Sequence, residues 1–70
     1  MNDREKRKVA EMVTMEQKWL YDHPEYSIPQ WYVNLIISAA YRLQLNDYDG
    51  AAHDIKQAIT GRMESMGVML

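Results

Sequence analysis

The sequence predicts an all-α fold, a three-helix up-down-up antiparallel bundle, forming one domain over residues 1–70. Three observations lead there. Prolines occur only at Pro24 and Pro29 and glycines only at Gly50, Gly61 and Gly67, which leaves three long segments between breaks. No segment sustains the period-two alternation of a strand. Within each segment the apolar residues recur at helical spacing instead. Each segment, about 18 to 20 residues, makes a rod of roughly 27–30 Å. Short connections between matched rods favour antiparallel neighbours, with helices 1 and 3 parallel on either side of helix 2.

The first helix is expected over about residues 3–22. Asn2 or Asp3 can cap its start, and Pro24 drives His23 out of helical geometry. Val9, Met12, Val13, Met15, Trp19 and Leu20 fall on one broad apolar face. Glu16 lies in the middle of that face, an odd place for a carboxylate.

The second helix is expected over about residues 28–45. Ser27-Ile28-Pro29-Gln30 has the form of a capping box, with Tyr26 and Trp31 at the hydrophobic-staple positions. The apolar arc takes in Tyr32, Val33, Leu35, Ile36, Ile37, Ala39, Ala40 and Leu43, more than half the circumference. A polar stripe, Gln30, Asn34, Ser38 and Arg42, runs at a spacing of four. So wide an apolar arc needs more than one neighbour, which makes this the central helix. Asn46 then suits a left-handed C-terminal position and Asp47 an N-cap.

The third helix is expected over about residues 48–66. Tyr48, Ala51, Ala52, Ile55, Ala58, Ile59, Met63 and Met66 share a face whose alanines allow close approach. Gly61 should loosen the last turns, by roughly 1 kcal/mol relative to Ala. Arg62 sits within this apolar face as Glu16 does within the first. If helices 1 and 3 start level and run parallel, the two charges reach one height. A partly desolvated ion pair that sets register is the expectation.

Composition narrows the function. The net charge of −2 lacks the basic excess of a general nucleic-acid binder. There is no cysteine, hence neither disulfide framework nor Cys-based zinc site. No apolar run exceeds Leu35-Ile36-Ile37 in length, too short for a membrane span. Asn2-Asp3-Arg4-Glu5 opens no signal peptide, so a cytoplasmic location is expected.

Motifs of catalysis and metal binding fail on spacing. His23 and His53 have no second ligand at helical spacing. Setting Gly50 at the invariant glycine of a calcium loop puts Leu45 and Lys56 where the first and last ligands belong. No glycine-rich phosphate loop exists, and a 70-residue bundle has little room for a deep pocket. No enzyme activity, no cofactor and no metal are therefore expected.

The basic run Arg4-Glu5-Lys6-Arg7-Lys8 can reach phosphate, which makes a nucleic-acid-associated regulator the alternative function. The favoured reading is electrostatic tethering, with Asp47, Asp49 and Asp54 beside that end of the bundle. A helix-turn-helix is disfavoured because the third helix opens on Tyr48, Asp49, Gly50 and later Asp54, a face that repels DNA.

Trp31, the Ala40-Tyr41 pair, Asn46-Asp47-Tyr48, Ala51, Ile55 and Ala58 share residue types with a tetratricopeptide repeat. Tyr41 follows Trp31 by ten positions where that family has seven, and no second copy occurs. The residues assign no family.

What remains is the aromatic set: two Trp, five Tyr and no Phe. Amphipathic aromatics suit interfaces, and six methionines add adaptable apolar surface. The candidate partner-binding residues are Trp31 and Tyr41, then Trp19, with Met66, Met69 and Leu70 as a flexible margin. The expected function is a small non-enzymatic protein-interaction module, a regulator or inhibitor of bacterial or phage style that binds another protein. A structural subunit acting only through self-assembly is the further alternative. A homodimer is expected, because so small a chain without disulfide or metal gains stability by association.

Overall fold

The computed structural model describes residues 1–24 and 28–65. It contains three helices, α1 (Asp3–Asp22), α2 (Gln30–Gln44) and α3 (Tyr48–Ser65), and no strand among the described residues. α2 and α3 form the most extensive contact, and α1 lies against both. Lys6 meets Tyr48 near the starts of α1 and α3, and Glu16 meets Arg62 farther along both, so these helices run parallel. Ser38 of α2 meets Asp54 of α3 across an antiparallel pair. The arrangement is the up-down-up bundle expected from the sequence.

Local chemistry explains the boundaries. Asn2 caps α1 through a reciprocal box: its Oδ1 accepts from the Glu5 amide at 2.8 Å, and its own amide donates to Glu5 Oε1 at 3.5 Å. The His23 amide closes the other end on the Trp19 carbonyl, just ahead of Pro24.

α2 starts two residues later than the S-x-x-Q pattern implies. Pro29 is the N-cap, with an extended ψ of 144° and no side-chain cap bond. The capping-box reading needed Ile28 in helical geometry directly before a proline, which the proline ring disfavours. Gln30 turns forward instead, donating to Asn34 Oδ1 at 2.9 Å. Ser27 and Tyr26, the expected cap and staple, lie outside the described residues.

The α2–α3 turn matches its residues closely. Asn46 takes a left-handed φ of 61°. The Asp47 amide donates to the Arg42 carbonyl at 2.8 Å and the Asn46 amide to Leu43 at 3.0 Å, the two bonds of a Schellman motif. Asp47 then caps α3, its Oδ1 accepting from the Gly50 amide at 3.0 Å.

The core is built from Val13, Tyr32, Ile36, Ala39, Ile55 and Ala58, with Val9 packing on Ala51 and Ala52 at the end where α1 and α3 begin. Three residues of the expected apolar faces are exposed instead. Met15, Ile37 and Met63 are 67%, 60% and 55% exposed. Each lies past the edge of its helix's buried arc. Ile37 is one residue, about 100° of rotation, beyond Ile36, which carries it to the rim of the α1–α2 groove. The alanines let α2 and α3 pack face to face, so a narrow arc of each suffices to bury the pair.

α3 runs through Gly61 to Ser65. The missing side chain of Gly61 makes room for Trp31, because a Cβ there would stand 2.5 Å from the indole Cη2.

Candidate functional site

Two polar clusters and one apolar face stand out on this scaffold. The first cluster joins all three helices. Arg62 grips Glu16 with two bonds, Nε to Oε1 at 2.8 Å and Nη2 to Oε2 at 3.2 Å. Tyr32, fully buried, donates its hydroxyl to the same Oε1 at 2.7 Å. The guanidinium also lies 5.0 Å from the Trp19 ring. Burial pushes the Tyr32 phenol above its ordinary range, and the Glu16 carboxylate that accepts its hydrogen bond pushes the same way. The bond to Glu16 likewise raises Arg62. Glu16 and Arg62, placed at one height by the sequence, are thus in direct contact. Tyr32 as the third member left no signal in the periodicity, which marks it simply as core.

The second cluster ties α2 to α3. Ser38 donates to Asp54 Oδ2 at 2.6 Å, and Arg42 Nε approaches the same oxygen at 3.1 Å while its Nη1 reaches Asp47 Oδ2 at 3.3 Å. Half of the expected polar stripe therefore faces a neighbouring helix. The tethering expected of Arg4–Lys8 gives way to this arrangement. Asp47 and Asp54 are held by Arg42, Lys6 sits 5.3 Å from the Tyr48 ring, and Arg4, Arg7 and Lys8 form no ion pair among the described residues.

Both Glu16 oxygens accept hydrogen bonds inside the protein, Oε1 from Tyr32 and Arg62 and Oε2 from Arg62. Among the described residues no buried side-chain polar atom lacks a partner, and no three His, Cys, Asp or Glu groups converge on a metal position. No described helix is long and apolar enough to cross a membrane.

The apolar face is on α2. Ile37, Tyr41 and Leu45 follow one another at a spacing of four and are 60%, 60% and 59% exposed. A groove between α1 and α2 runs beside Ile37, walled by Gln17, Leu20, Tyr21 and Ile36. Of the aromatic candidates, Tyr41 stands on this face. Trp31 lies toward α3 over Gly61, edge-on to Tyr32. Trp19 packs against the core, edge-on to Tyr32 at 5.8 Å and tilted by 34° against the His23 ring at 4.8 Å. Met66, Met69 and Leu70 lie outside the described residues. Ile37 and Leu45 were not among the expected interface residues. Their spacing of four from Tyr41 was the available signal, masked because the wide apolar arc absorbed Ile37 into the core.

No protein-family model matches the chain, and no match is found among curated proteins or solved structures.

Proposed function

We propose that this chain is a small protein-interaction module that acts by docking and not by catalysis. The carrying observation is the row Ile37, Tyr41 and Leu45, three large apolar side chains held outward on a rigid central helix. Such a contiguous row costs solubility if nothing covers it, whereas single exposed apolar residues are ordinary. Tyr41 is the natural anchor, since a tyrosine offers apolar area with a polar tip. A regulator or inhibitor of this size would work by covering a surface of its partner.

The test is a paired affinity capture from cells that express the protein. Wild type is compared with Ile37→Lys and Tyr41→Ala, whose helical content is checked by circular dichroism. A partner held by wild type and released by both folded variants supports the reading. A partner held equally by all three places the docking surface elsewhere.

A further inference from the structure

We propose that the chain covering the α2 face is a second copy of this protein, packed antiparallel across Tyr41; this rests on the reading of that face as a docking surface and names its occupant. The argument starts from charge. α2 contains one charged residue in fifteen, Arg42, whose side chain, 45% exposed, lies to one side of the Ile37–Tyr41–Leu45 row and is paired with Asp54 of α3 and Asp47 of the turn. The outward face is neutral from Gln30 to Leu45, with Gln30, Asn34 and Gln44 as its exposed polar members. The outer faces of α1 and α3 differ: Arg4, Arg7, Lys8, Glu11 and Lys18 on one, Asp49, Lys56 and Glu64 on the other. A neutral face offers nothing to attract a charged partner. It lets an identical face approach without burying like charges.

The row is also self-complementary. An aliphatic residue stands four positions on each side of Tyr41. A two-fold axis at Tyr41 that runs the two helices antiparallel sets Ile37 of each copy against Leu45 of the other. Rows at a spacing of four interlock at a crossing angle of about −50°. The groove beside Ile37, lined by Leu20 and Tyr21, lies next to the position of the incoming Leu45. Charge decides the direction too. α2 leads into the acidic turn of Asp47 and Asp49, so a parallel pair would bring two such turns together and an antiparallel pair separates them.

Size is adequate for a reversible dimer. Ile37, Tyr41, Leu45 and the 85%-exposed Tyr21 are the large side chains available in each copy. These side chains make a small patch, which suits an interface near the lower bound for specificity, about 1,000 Å² in total.

The experiment is sedimentation equilibrium from about 1 to 500 µM, a range chosen for an interface at that lower bound. It uses wild type, Ile37→Lys, Leu45→Glu and an equimolar mixture of the two variants, each checked for helical content. Wild type should dimerise, each variant alone should associate at least about tenfold more weakly, and the mixture should recover association. In the mixed pair one contact joins the new lysine to the new glutamate, and the other remains Ile37 against Leu45. A wild type that stays monomeric overturns the proposal, as does a dimer indifferent to both substitutions or a mixture that recovers nothing. The affinity capture separates this failure from that of the module itself. If wild type is monomeric yet Ile37→Lys and Tyr41→Ala release a different partner in the capture, the module stands and the second copy does not. If they release nothing, both fall.

Discussion

The Tyr32 hydroxyl, at the start of α2, donates to Glu16 Oε1 of α1 at 2.7 Å, and the Tyr32 side chain is wholly buried. Removing the phenolic proton would set a second negative charge against the carboxylate in a dry site. The folded chain therefore holds this proton more tightly than the unfolded chain does. The stability it contributes is complete below about pH 10, where an unfolded tyrosine ionises, and is lost as the pH rises further. The loss approaches about 1.4 kcal/mol per pH unit for one proton. Denaturation at pH 9 to 11 should show a shallower alkaline decline in Tyr32→Phe than in wild type; equal slopes would remove the phenol from the account.

Glu16 and Arg62 should be much harder to change singly than together. Glu16→Ala leaves a partly buried guanidinium without its carboxylate and the buried Tyr32 hydroxyl without its acceptor, and should cost about 3 kcal/mol or more. That is most of the stability of so small a domain. The double change Glu16→Met with Arg62→Leu removes both charges and should recover a large part of it. Urea melts of the two single variants and the double variant give the comparison. Additive losses would mean that the pair is not coupled.

Gly61→Ala should reverse its effect according to what stands at position 31. Alanine raises helix propensity by about 1 kcal/mol. The new Cβ collides with the Trp31 ring, 2.5 Å from Cη2 and 2.7 Å from Cζ3, and must push it outward. The substitution should therefore bring no gain in wild type, with a red shift in tryptophan emission. In a Trp31→Ala background the same change should stabilise by about 1 kcal/mol. A gain of that size in both backgrounds would mean that the ring swings away freely.

Asn2→Ala should cost about 1 kcal/mol, because it removes the acceptor of the Glu5 amide. The melting temperature should fall by a few degrees. Asn2→Ser, which keeps the acceptor, should recover most of it.

Helix positions were legible because the breaks are strong. Pro24 and the Asn46-Asp47 pair mark ends that the structure keeps, and the Glu16–Arg62 contact followed from counting residues along two level, parallel helices. The start of α2 was misread by two residues because a capping pattern ignores what Pro29 does to Ile28. The candidate face was half legible. Periodicity separates inside from outside only when the width of the buried arc is known, and Ala39, Ala51 and Ala58 made that arc narrower than the apolar count implied. So Ile37 went to the core on paper and to the surface in the fold. A glycine inside a helix, likewise, says nothing on its own about the indole that fills the space beside it.

The unequal fastening of the three helices sets an order of events in folding. The Ser38–Asp54 bond between α2 and α3 and the Tyr32–Glu16 bond between α1 and α2 each span 16 positions, so loop closure does not separate the two hairpins. Packing does: α2 and α3 form the most extensive contact, so the α2–α3 hairpin is the better-held unit and α1 docks onto it. In reverse, α1 is the unit that lifts away before the whole molecule opens. Native-state hydrogen exchange should then find the most protected amides around Ala39 and Ile55, with those around Val13 opening at a lower free energy. A chain that releases α1 first passes through a brief two-helix form in which the faces of Tyr32 and Ile36 that α1 covered meet water.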